Sequence, residues 1–308
     1  MVSHTASSRL LGASIGLLGD RALGEPPAAL HPVAWFGTLM GRFEKRAYAD
    51  RHSAGALYAA GGTLVGIGIG RVIRSTSAAV ALASSGRMLR ATAFDISRLL
   101  VAGDLTGARD ALPALVGRDA SALDESGIAA AVIESLAENT VDAVVAPALW
   151  GAAFGAPGAA AHRAINTMDA MVGNRSTRYR RFGTAAARLD DAVAYVPARV
   201  TAALVCLCRP SQARGVVRTV RRDAAAHPSP NAGVAEAAFA AALGVELGGS
   251  LRYGARLEDR PRLGTGPRPL VDDIERAIDL ANRVEIVVVA TLAGLALLVC
   301  AIKKALDA

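Results

Sequence analysis

The segment that most constrains the fold is IVVVATLAGLALLVCAI, residues 286–302, which has no charged side chain and ends at Lys303 and Lys304. Less continuous apolar segments lie at 10–19, 54–70, 143–161 and 192–208. A helix needs about 20 predominantly apolar residues to cross a bilayer. By hydropathy, only the last segment is a clean membrane span. The sequence predicts an all-α fold, a polytopic helical integral membrane protein with about four or five membrane segments.

The composition agrees with this interpretation. Hydrophobic residues make up 52% of the 308 residues and aromatic residues only 4%, and the mean hydropathy is +0.34. A soluble domain of this length is rarely so apolar. We expect one domain over residues 1–308, an amphipathic or core helix over 76–100, and a polar region at 209–283 that is helical.

The net charge is +7, and Lys45, Lys303 and Lys304 are the only lysines among the 34 basic residues. Arginine-rich loops suit an anionic lipid surface, and arginine also grips carboxylates and phosphates with two parallel hydrogen bonds. Both interpretations can hold together. The basic residues are spread out and no nucleic-acid-binding motif accompanies them, so we expect no nucleic-acid partner.

The stretch ESLAENTVDA, residues 134–143, runs directly into apolar sequence. Glu134, Glu138 and Asp142 have the spacing i, i+4, i+8, so on a helix they form one acidic stripe with Asn139 beside it. Like charges at this spacing repel unless a cation lies between them. Mg²⁺ is usually held by one or two carboxylates and substrate phosphates. The stripe is therefore either a solvated helix face or a magnesium site.

A second polar group lies in NTMDAMVGNRSTRYRRFG, residues 166–183. Asn166 and Asp169 share a helix face, Gly173 is expected to end the helix, and arginines follow from Arg175 onward. The segment is either a helix end with a basic collar, or a second pair of metal ligands beside an anion-binding group.

The segment ARLDDAVAYVPAR, residues 187–199, places Arg199 among apolar residues. Asp190 and Asp191 open it, and acidic side chains are favourable at a helix N-terminus. An ionisable group inside an apolar segment suggests a functional site with a partner. Asp190 or the acidic stripe are the expected partners of Arg199, and a purely structural ion pair is the alternative.

Two histidines precede prolines, His31 in HPVAWFG and His227 in HPSPNAG. Proline holds the preceding residue extended, and a histidine fixed in this way can bind phosphate or carry a proton near neutral pH. Ordinary turns are the alternative. Phosphate-binding loops and dinucleotide fingerprints are absent from the sequence. A phosphate-binding enzyme of this sequence would rely on arginine, metal and helix N-termini.

Six motifs in order resemble one known family. They are GDRALGEPPAALHPVAWFG, VGRD, ESLAENTVDAVVAPALW, NTMDAMVG, ARLDDAVAYVPARVTA and HPSPNAGVAEAAFAAALGVELGG. The chain resembles the CobD/CbiB family of cobalamin-biosynthesis membrane proteins, called adenosylcobinamide-phosphate synthases, from about residue 10 to residue 300. Val234 departs from the pattern, because an aromatic residue is usual there in the family.

The resemblance implies an enzyme, a carbon–nitrogen ligase that joins adenosylcobyric acid to (R)-1-amino-2-propanol phosphate or to aminopropanol, with ATP as cosubstrate and Mg²⁺. Such a site gathers several anions and needs metal and arginine. On chemical grounds we expect Glu134, Glu138, Asp142 and Asp169 to hold Mg²⁺ and the nucleotide phosphates, with Glu138 essential. We expect Arg118, Arg175 and Arg199 to bind phosphate or the corrin carboxylate, His31 or His227 to accept a proton, and Asn139, Asn166 and Asn231 to orient substrates.

Two other functions are open. NTMD and LDD weakly echo the motifs of Mg²⁺-dependent membrane prenyltransferases, and a scaffold or sensor for corrinoid enzymes would tolerate loss of the carboxylates. The expected partners are the corrinoid and amine substrates and the lipid bilayer of the bacterial cytoplasmic membrane. Other cobalamin-biosynthesis enzymes and a second copy of this chain are further candidate partners.

Overall fold

The computed structural model describes residues 2–27, 29, 31–117, 119–174, 176–253 and 256–307, with the side chains of 2–5, 250–253 and 256–259 left out. Its α-helices are α1 Val2–Leu23, α2 Pro32–Ala47, α3 His52–Ile73, α4 Thr76–Ala83, α5 Gly86–Val101, α6 Leu105–Ala111, α7 Glu125–Thr140, α8 Ala146–Phe154, α9 Ala156–Val172, α10 Thr184–Cys208, α11 Ala213–Asp223, α12 Ala232–Leu243 and α13 Val271–Leu306. A π-helical turn, Val141–Val145, follows α7, and strands β1 Leu247–Tyr253 and β2 Arg256–Leu263 precede α13. The predicted all-α membrane class is confirmed, with one β hairpin added.

Three helices in the described residues are long and apolar enough to cross a membrane, and these are α3, α10 and α13. They contain the predicted segments 54–70, 192–208 and 286–302. The segment 10–19 lies inside α1, and 143–161 is not one helix, because the backbone turns at Gly155 with φ of 70° between α8 and α9. Positive φ is a conformation that glycine adopts without a steric penalty.

The chain divides into two compact units, which are described separately. The first unit comprises residues 1–85, 142–194 and 288–308, and the second comprises 86–141 and 195–287. The prediction of one domain over residues 1–308 stays a prediction.

In the first unit, α3 packs a face of small residues against α9. Gly62, Gly66 and Gly70 are buried and recur at every fourth position. A Cβ atom on Gly66 would lie 2.6 Å from the Cβ of Ala164, and one on Gly70 would lie 2.5 Å from the carbonyl oxygen of Ala156. Small side chains therefore let the two backbones approach closely. This packing fixes the position of α9, which carries the polar residues of the first unit.

The predicted helix over 76–100 is divided. α4 ends at Ala83, and Ser84 is extended with φ of −93° and ψ of 155°. The backbone N–H of Ser85 donates to the carbonyl oxygen of Ala143 at 3.1 Å, and α5 begins at the next residue. The extended Ser84 ends α4, and the hydrogen bond of Ser85 involves a residue that local sequence does not identify.

In the second unit, the polar region 209–283 contains the β hairpin as well as helices. Leu247 pairs with Leu263 across the antiparallel strands, and a bulge separates Leu247 from Gly249. The bulged residue Gly248 has φ of +79°, and a Cβ atom there would lie 2.1 Å from the carbonyl oxygen of Pro261. Only glycine fits this position, and the bulge leaves its N–H available to a side chain.

Candidate functional site

Asn166 joins two acidic side chains in the first unit. Its Nδ2 donates to Asp142 Oδ2 at 3.1 Å and to Asp190 Oδ1 at 3.5 Å. Asp142 lies in the π-helical turn and Asp190 lies two turns into α10. Single π-helical turns are frequent at functional sites. The arrangement gathers two carboxylates around one amide, and these are groups that can hold a divalent cation with substrate phosphates.

Arg163 lies one turn before Asn166 on α9. Its Nη2 donates to Ser85 Oγ at 3.2 Å. The charges of Glu25, Asp142 and Asp20 act on its guanidinium. The first unit therefore sets one half-buried arginine among several carboxylates.

His31 is extended, with φ of −82° and ψ of 122°, and it is the N-cap of α2. Its Nδ1 accepts a hydrogen bond from the N–H of Val33 at 3.1 Å, and its Nε2 lies 3.9 Å from Glu25 Oε2. Burial lowers the pKa of His31 below its ordinary value of 6.5, while Glu25 raises it and Arg163 lowers it further. Because Nδ1 accepts a hydrogen bond, neutral His31 carries its proton on Nε2.

In the second unit, Arg199 binds an amide and a ring. Its Nη1 donates to Asn231 Oδ1 at 2.8 Å, and its guanidinium carbon lies 3.5 Å from the centre of the Tyr195 ring. The planar guanidinium is thus held by a hydrogen bond and a cation–π contact. The sequence predicts an acidic partner for Arg199. Within the part of the chain that the structure describes, the Asn231 amide and the Tyr195 ring take that place instead.

His227 is buried beside Glu236 and Arg260. Its Nε2 lies 3.7 Å from Glu236 Oε1 and 3.3 Å from Arg260 Nη1. Its Nδ1 lies 3.1 Å from both the N–H and the carbonyl oxygen of Ser229. With the proton on Nδ1, donated to Ser229, Nε2 carries the lone pair that proton transfer requires.

Arg199 and His227 line one cavity of about 500 Å³. Its other walls are apolar or proline residues, namely Val220, Ala224, Ala225, Pro228, Pro230 and Val234. A cavity of this size, with apolar walls and few polar groups, is typical of a small-molecule site. Two of the residues expected from the sequence to act on substrates therefore share one cavity.

The residues of the acidic stripe lie in different environments. Glu134 is buried and its Oε1 accepts a hydrogen bond from Gly248 N–H at 2.8 Å, whereas Glu138 is exposed. Asp142 lies beyond α7 in the π-helical turn, and Asn139 Nδ2 donates to the carbonyl oxygen of Ser135 at 3.0 Å. Across the described ranges, no group of three or more His, Cys, Asp or Glu side chains is placed to hold a metal ion.

The family model for CobD/Cbib proteins matches residues 13–281. The chain belongs to the CobD/CbiB family. The cobalamin biosynthesis protein CobD of Mycobacterium tuberculosis (strain ATCC 25618 / H37Rv) is 47% identical over 300 residues, which are 92% of this chain and 95% of that protein. The proteins of the same name from Rhodobacter capsulatus and Klebsiella pneumoniae are 41% and 37% identical and cover 86% and 88% of this chain and 90% and 92% of their own lengths. No solved structure matches the chain.

In each unit of this CobD/CbiB family member, some of the residues expected from the sequence lie together. Asn166 and Asp142 lie together in the first unit, and Arg199, Asn231 and His227 lie in or beside one cavity of the second unit. Asp169 lies on α9, where a Cβ atom at Gly173 would be 1.8 Å from its Oδ1. Arg118 and Arg175 lie outside the described residues. The roles of all of these residues in metal or substrate binding stay predictions.

The basic segment after Gly173 has structural partners. α9 ends at Val172, as predicted. Arg178 Nη2 donates to Glu44 Oε1 at 2.7 Å, and its guanidinium lies 4.1 Å from the Tyr48 ring centre. The Glu44 hydrogen bond raises the pKa of Arg178. These contacts favour the interpretation of a basic collar.

The interpretation of Asp190 and Asp191 as helix-opening residues is corrected, because α10 begins at Thr184. The helix dipole acts mainly on the first turn, so it does not account for Asp190. The hydrogen bond from Asn166 places Asp190 in the polar group of the first unit instead.

Sequence reasoning missed four charged residues of these groups. They are Glu25, Arg163, Glu236 and Arg260. Glu236 is 2% exposed inside the alanine-rich α12, and a lone acidic residue in an apolar helix was a usable signal. Val234, the position that departs from the family pattern, lies in the wall of the 500 Å³ cavity.

Proposed function

We propose that this chain performs the amide-forming step of cobalamin biosynthesis that joins adenosylcobyric acid to aminopropanol or its phosphate, with ATP and Mg²⁺, in the cytoplasmic membrane. The observation that carries the proposal is the similarity, over 92% of the chain, to a protein named for cobalamin biosynthesis. The cavity lined by Arg199 and His227 supports it, because it combines a cation, a proton-transfer group and apolar walls.

The reaction needs an activated carboxylate. In the proposed sequence the carboxylate takes the γ-phosphoryl group of ATP and ADP leaves, after which the amine attacks the acyl carbon and inorganic phosphate leaves. The attacking ammonium loses one proton to a base before attack and the amine loses another as the amide forms. The protein's contribution is to bind anions, orient the amine and accept these protons.

Arg199 suits the anion-binding part of this reaction. Its guanidinium is already oriented by Asn231 and Tyr195, so little rotamer freedom is lost when it binds a phosphate or carboxylate. A planar donor of this kind stabilises charge that grows on an oxygen as the reaction proceeds.

His227 suits the base better than His31 does. The Val33 hydrogen bond to Nδ1 restricts neutral His31 to the form with its proton on Nε2. Neither Nδ1, which accepts from Val33, nor the protonated Nε2 has a lone pair to offer a substrate. Ser229 presents both its N–H and its carbonyl oxygen to Nδ1 of His227, so, unlike in His31, a proton on Nδ1 has an acceptor, and Nε2 can then take a proton from the amine. The imidazolium so formed would have Glu236 Oε1 at 3.7 Å and Arg260 Nη1 at 3.3 Å, so the carboxylate would offset the repulsion from the guanidinium.

The donor set fits Mg²⁺ in the first unit. Asp142 and Asp190 supply two carboxylates beside Asn166, and one or two carboxylates with substrate phosphates are what Mg²⁺ usually requires. When bound there, Mg²⁺ would neutralise phosphate charge. Glu134 is a weaker candidate, because its carboxylate is buried against Gly248.

The test is a reconstitution of purified protein in lipid nanodiscs with adenosylcobyric acid, aminopropanol or its phosphate, ATP and Mg²⁺. Mass spectrometry should show the amide product with one ADP formed for each. His227→Gln should lower the rate about 100-fold, since general base catalysis contributes factors of that order. The exposed His52 provides the matched control, and His52→Gln should be unaffected.

Folded wild-type protein that forms neither amide nor ADP would overturn the proposal. In that case a scaffold becomes the better account, and consumption of a prenyl diphosphate in a parallel reaction would point to a prenyltransferase.

A further inference from the structure

In the first unit, α2 and α3 lie side by side and run in opposite directions. The ring of Phe43, near the end of α2, stacks on that of Tyr58, near the start of α3, with centroids 5.9 Å apart. Phe36, near the start of α2, lines one small cavity with Ile69 and Ile73, near the end of α3. α3 is long and apolar enough to cross a membrane, and a crossing helix has its ends at the two surfaces. The connection between α2 and α3 therefore lies at one membrane surface.

The basic segment that follows α9 packs against this connection. Arg178 Nη2 donates to Glu44 Oε1 at 2.7 Å, and the hydroxyl group of Tyr48 donates to the carbonyl oxygen of Arg178 at 2.8 Å. A Cβ atom on Gly55, in the first turn of α3, would lie 1.8 Å from the carbonyl oxygen of Phe182. All of these residues belong to the first unit, so the basic segment and the two helix ends form one surface.

Five exposed cations lie on this surface and have no ion-pair partner among the residues that the structure describes. We call them the cation cluster, and they are Arg42, Lys45, Arg46, Arg51 and Arg180. The nearby carboxylates are engaged elsewhere, because Glu44 is paired with Arg178 and Asp50 lies 3.7 Å from Arg181. The positive charge of the cluster is therefore available to an anion from outside the chain.

Helix electrostatics explains only part of the cluster. Lys45 and Arg46 lie in the last turn of α2, where the helix dipole favours cations. Arg51 is the N-cap of α3, where the dipole favours an anion instead, and α3 has neither a side-chain cap nor an acidic residue in its first turn. The side chain of Arg51 and the first N–H groups of α3 both suit an anionic group at this position.

An exposed apolar stripe on α2 leads to the cluster. Trp35, Leu39 and Phe43 follow one another at every fourth position and are 58%, 48% and 38% exposed. Arg42 follows Leu39 by three residues and Arg46 follows Phe43 by three, so both arginines lie on the same face as the stripe. Adjacent large apolar side chains on a surface indicate an apolar partner.

The dimensions and charges match a phospholipid. Trp35 and Phe43 are eight residues apart, so the stripe is about 12 Å long, and the hydrocarbon of one leaflet is about 15 Å thick. Arginine binds phosphate with two parallel hydrogen bonds. A zwitterionic headgroup carries a cation that the cluster repels, whereas an anionic headgroup carries none. The combination therefore favours an anionic phospholipid over a zwitterionic one, and over a free phosphate, which has no acyl chain for the stripe.

We propose that an anionic phospholipid binds at the junction of α2 and α3, with its phosphate on the cation cluster and one acyl chain along Trp35, Leu39 and Phe43. The inference is independent of the proposed ligase activity, because it uses none of the residues assigned to that reaction. It adds to the expected bilayer partner a preference for one class of lipid at one end of α3.

The test is native mass spectrometry of the purified full chain in detergent, titrated with phosphatidylglycerol or with phosphatidylcholine of the same acyl chains. We expect phosphatidylglycerol to bind about 10-fold more tightly or better, since charged hydrogen bonds contribute that much. The double variant Arg42→Gln, Arg46→Gln should weaken phosphatidylglycerol binding about 10- to 100-fold and leave phosphatidylcholine binding unchanged. The double variant Arg71→Gln, Arg74→Gln removes the same charge from exposed positions at the other end of α3 and should bind as wild type.

Two further measurements test the apolar stripe. Glycerol phosphate, which lacks acyl chains, should not bind at concentrations at which phosphatidylglycerol saturates the protein. Phosphatidylglycerol brominated in its acyl chains should quench tryptophan fluorescence more strongly than brominated phosphatidylcholine does. This excess quenching should disappear in Trp35→Phe, because the exposed ring of Trp35 is the one that contacts the chain.

Equal affinity for the two lipids would overturn the proposal, and so would equal losses of phosphatidylglycerol binding in the two double variants. Binding of glycerol phosphate as tight as that of phosphatidylglycerol would assign the cluster to a soluble anion and would also reject the lipid. Excess quenching that persists in Trp35→Phe would show that the acyl chain does not lie along the stripe.

Discussion

Asn231 accepts a hydrogen bond from Arg199 at 2.8 Å, and this contact orients a guanidinium that lines the 500 Å³ cavity. Arg199→Lys keeps the positive charge and loses the planar donor that stacks on Tyr195. We expect kcat/KM for amide synthesis to fall about 10- to 100-fold, corresponding to one charged hydrogen bond. Steady-state kinetics with the corrinoid varied would measure this.

Arg218 provides the control for that substitution, because it is exposed on α11 in the same unit. Arg218→Lys should have wild-type kinetics. Wild-type kinetics in Arg199→Lys as well would show that charge alone suffices at this position.

Glu138 is exposed on α7, so its replacement should not disturb folding. If it contributes to metal or phosphate binding, Glu138→Gln should abolish ligation while the protein still inserts and extracts normally. Product formation and the detergent-extracted yield are the two measurements. Glu125→Gln, at an exposed position in the first turn of the same helix, should retain activity. Full turnover by Glu138→Gln would remove this residue from the mechanism.

The close packing of α3 on α9 predicts a position-specific response to added methyl groups. Gly66→Ala or Gly70→Ala would place a Cβ atom within 2.6 Å or 2.5 Å of α9, and we expect about 1–3 kcal/mol of destabilisation from overpacking. Thermal unfolding in detergent would measure the shift.

Gly68 lies on the same helix, and a Cβ atom added there would have no packing neighbour within 4 Å among the described residues. Gly68→Ala should therefore leave the unfolding temperature unchanged or raise it, because alanine has the higher helix propensity. Equal destabilisation at Gly66 and Gly68 would contradict the close packing of α3 on α9.

The lowered pKa of His31 predicts a pH-dependent contribution to stability. Burial, the main cause, disfavours the protonated form in the folded state. The unfolded chain therefore binds more protons below a pH of about 6.5, and stability falls as the pH decreases from there. His31→Asn should remove part of this acid sensitivity while preserving the helix cap.

Chemical denaturation of both proteins at pH 8 and pH 5.5 would test this. Relative to that of the wild type, the free energy of unfolding of His31→Asn should be higher at pH 5.5 than at pH 8. A difference in the free energy of unfolding that does not change with pH would contradict a contribution of His31 protonation to the acid sensitivity.

Local patterns predicted much of the backbone. The apolar segments became α3, α10 and α13, the prolines held His31 and His227 extended, and α9 ended before Gly173. These features depend on a few neighbouring residues. The breaks at Ser84 and Gly155 were predicted less well. The first is accompanied by a hydrogen bond from Ser85 to Ala143 in the π-helical turn, and the second depends on a positive φ that glycine can adopt but does not always adopt.

The sequence by itself determined a helical membrane protein and the residue types able to bind anions, metal and protons, because hydropathy and side-chain chemistry belong to each residue. Only the tertiary structure decided which of them meet. Glu134 lies against Gly248, 114 residues away, and Asn166 reaches Asp142 and Asp190, each 24 residues away. Such pairs form because packing brings distant segments together, and no spacing along one helix encodes them.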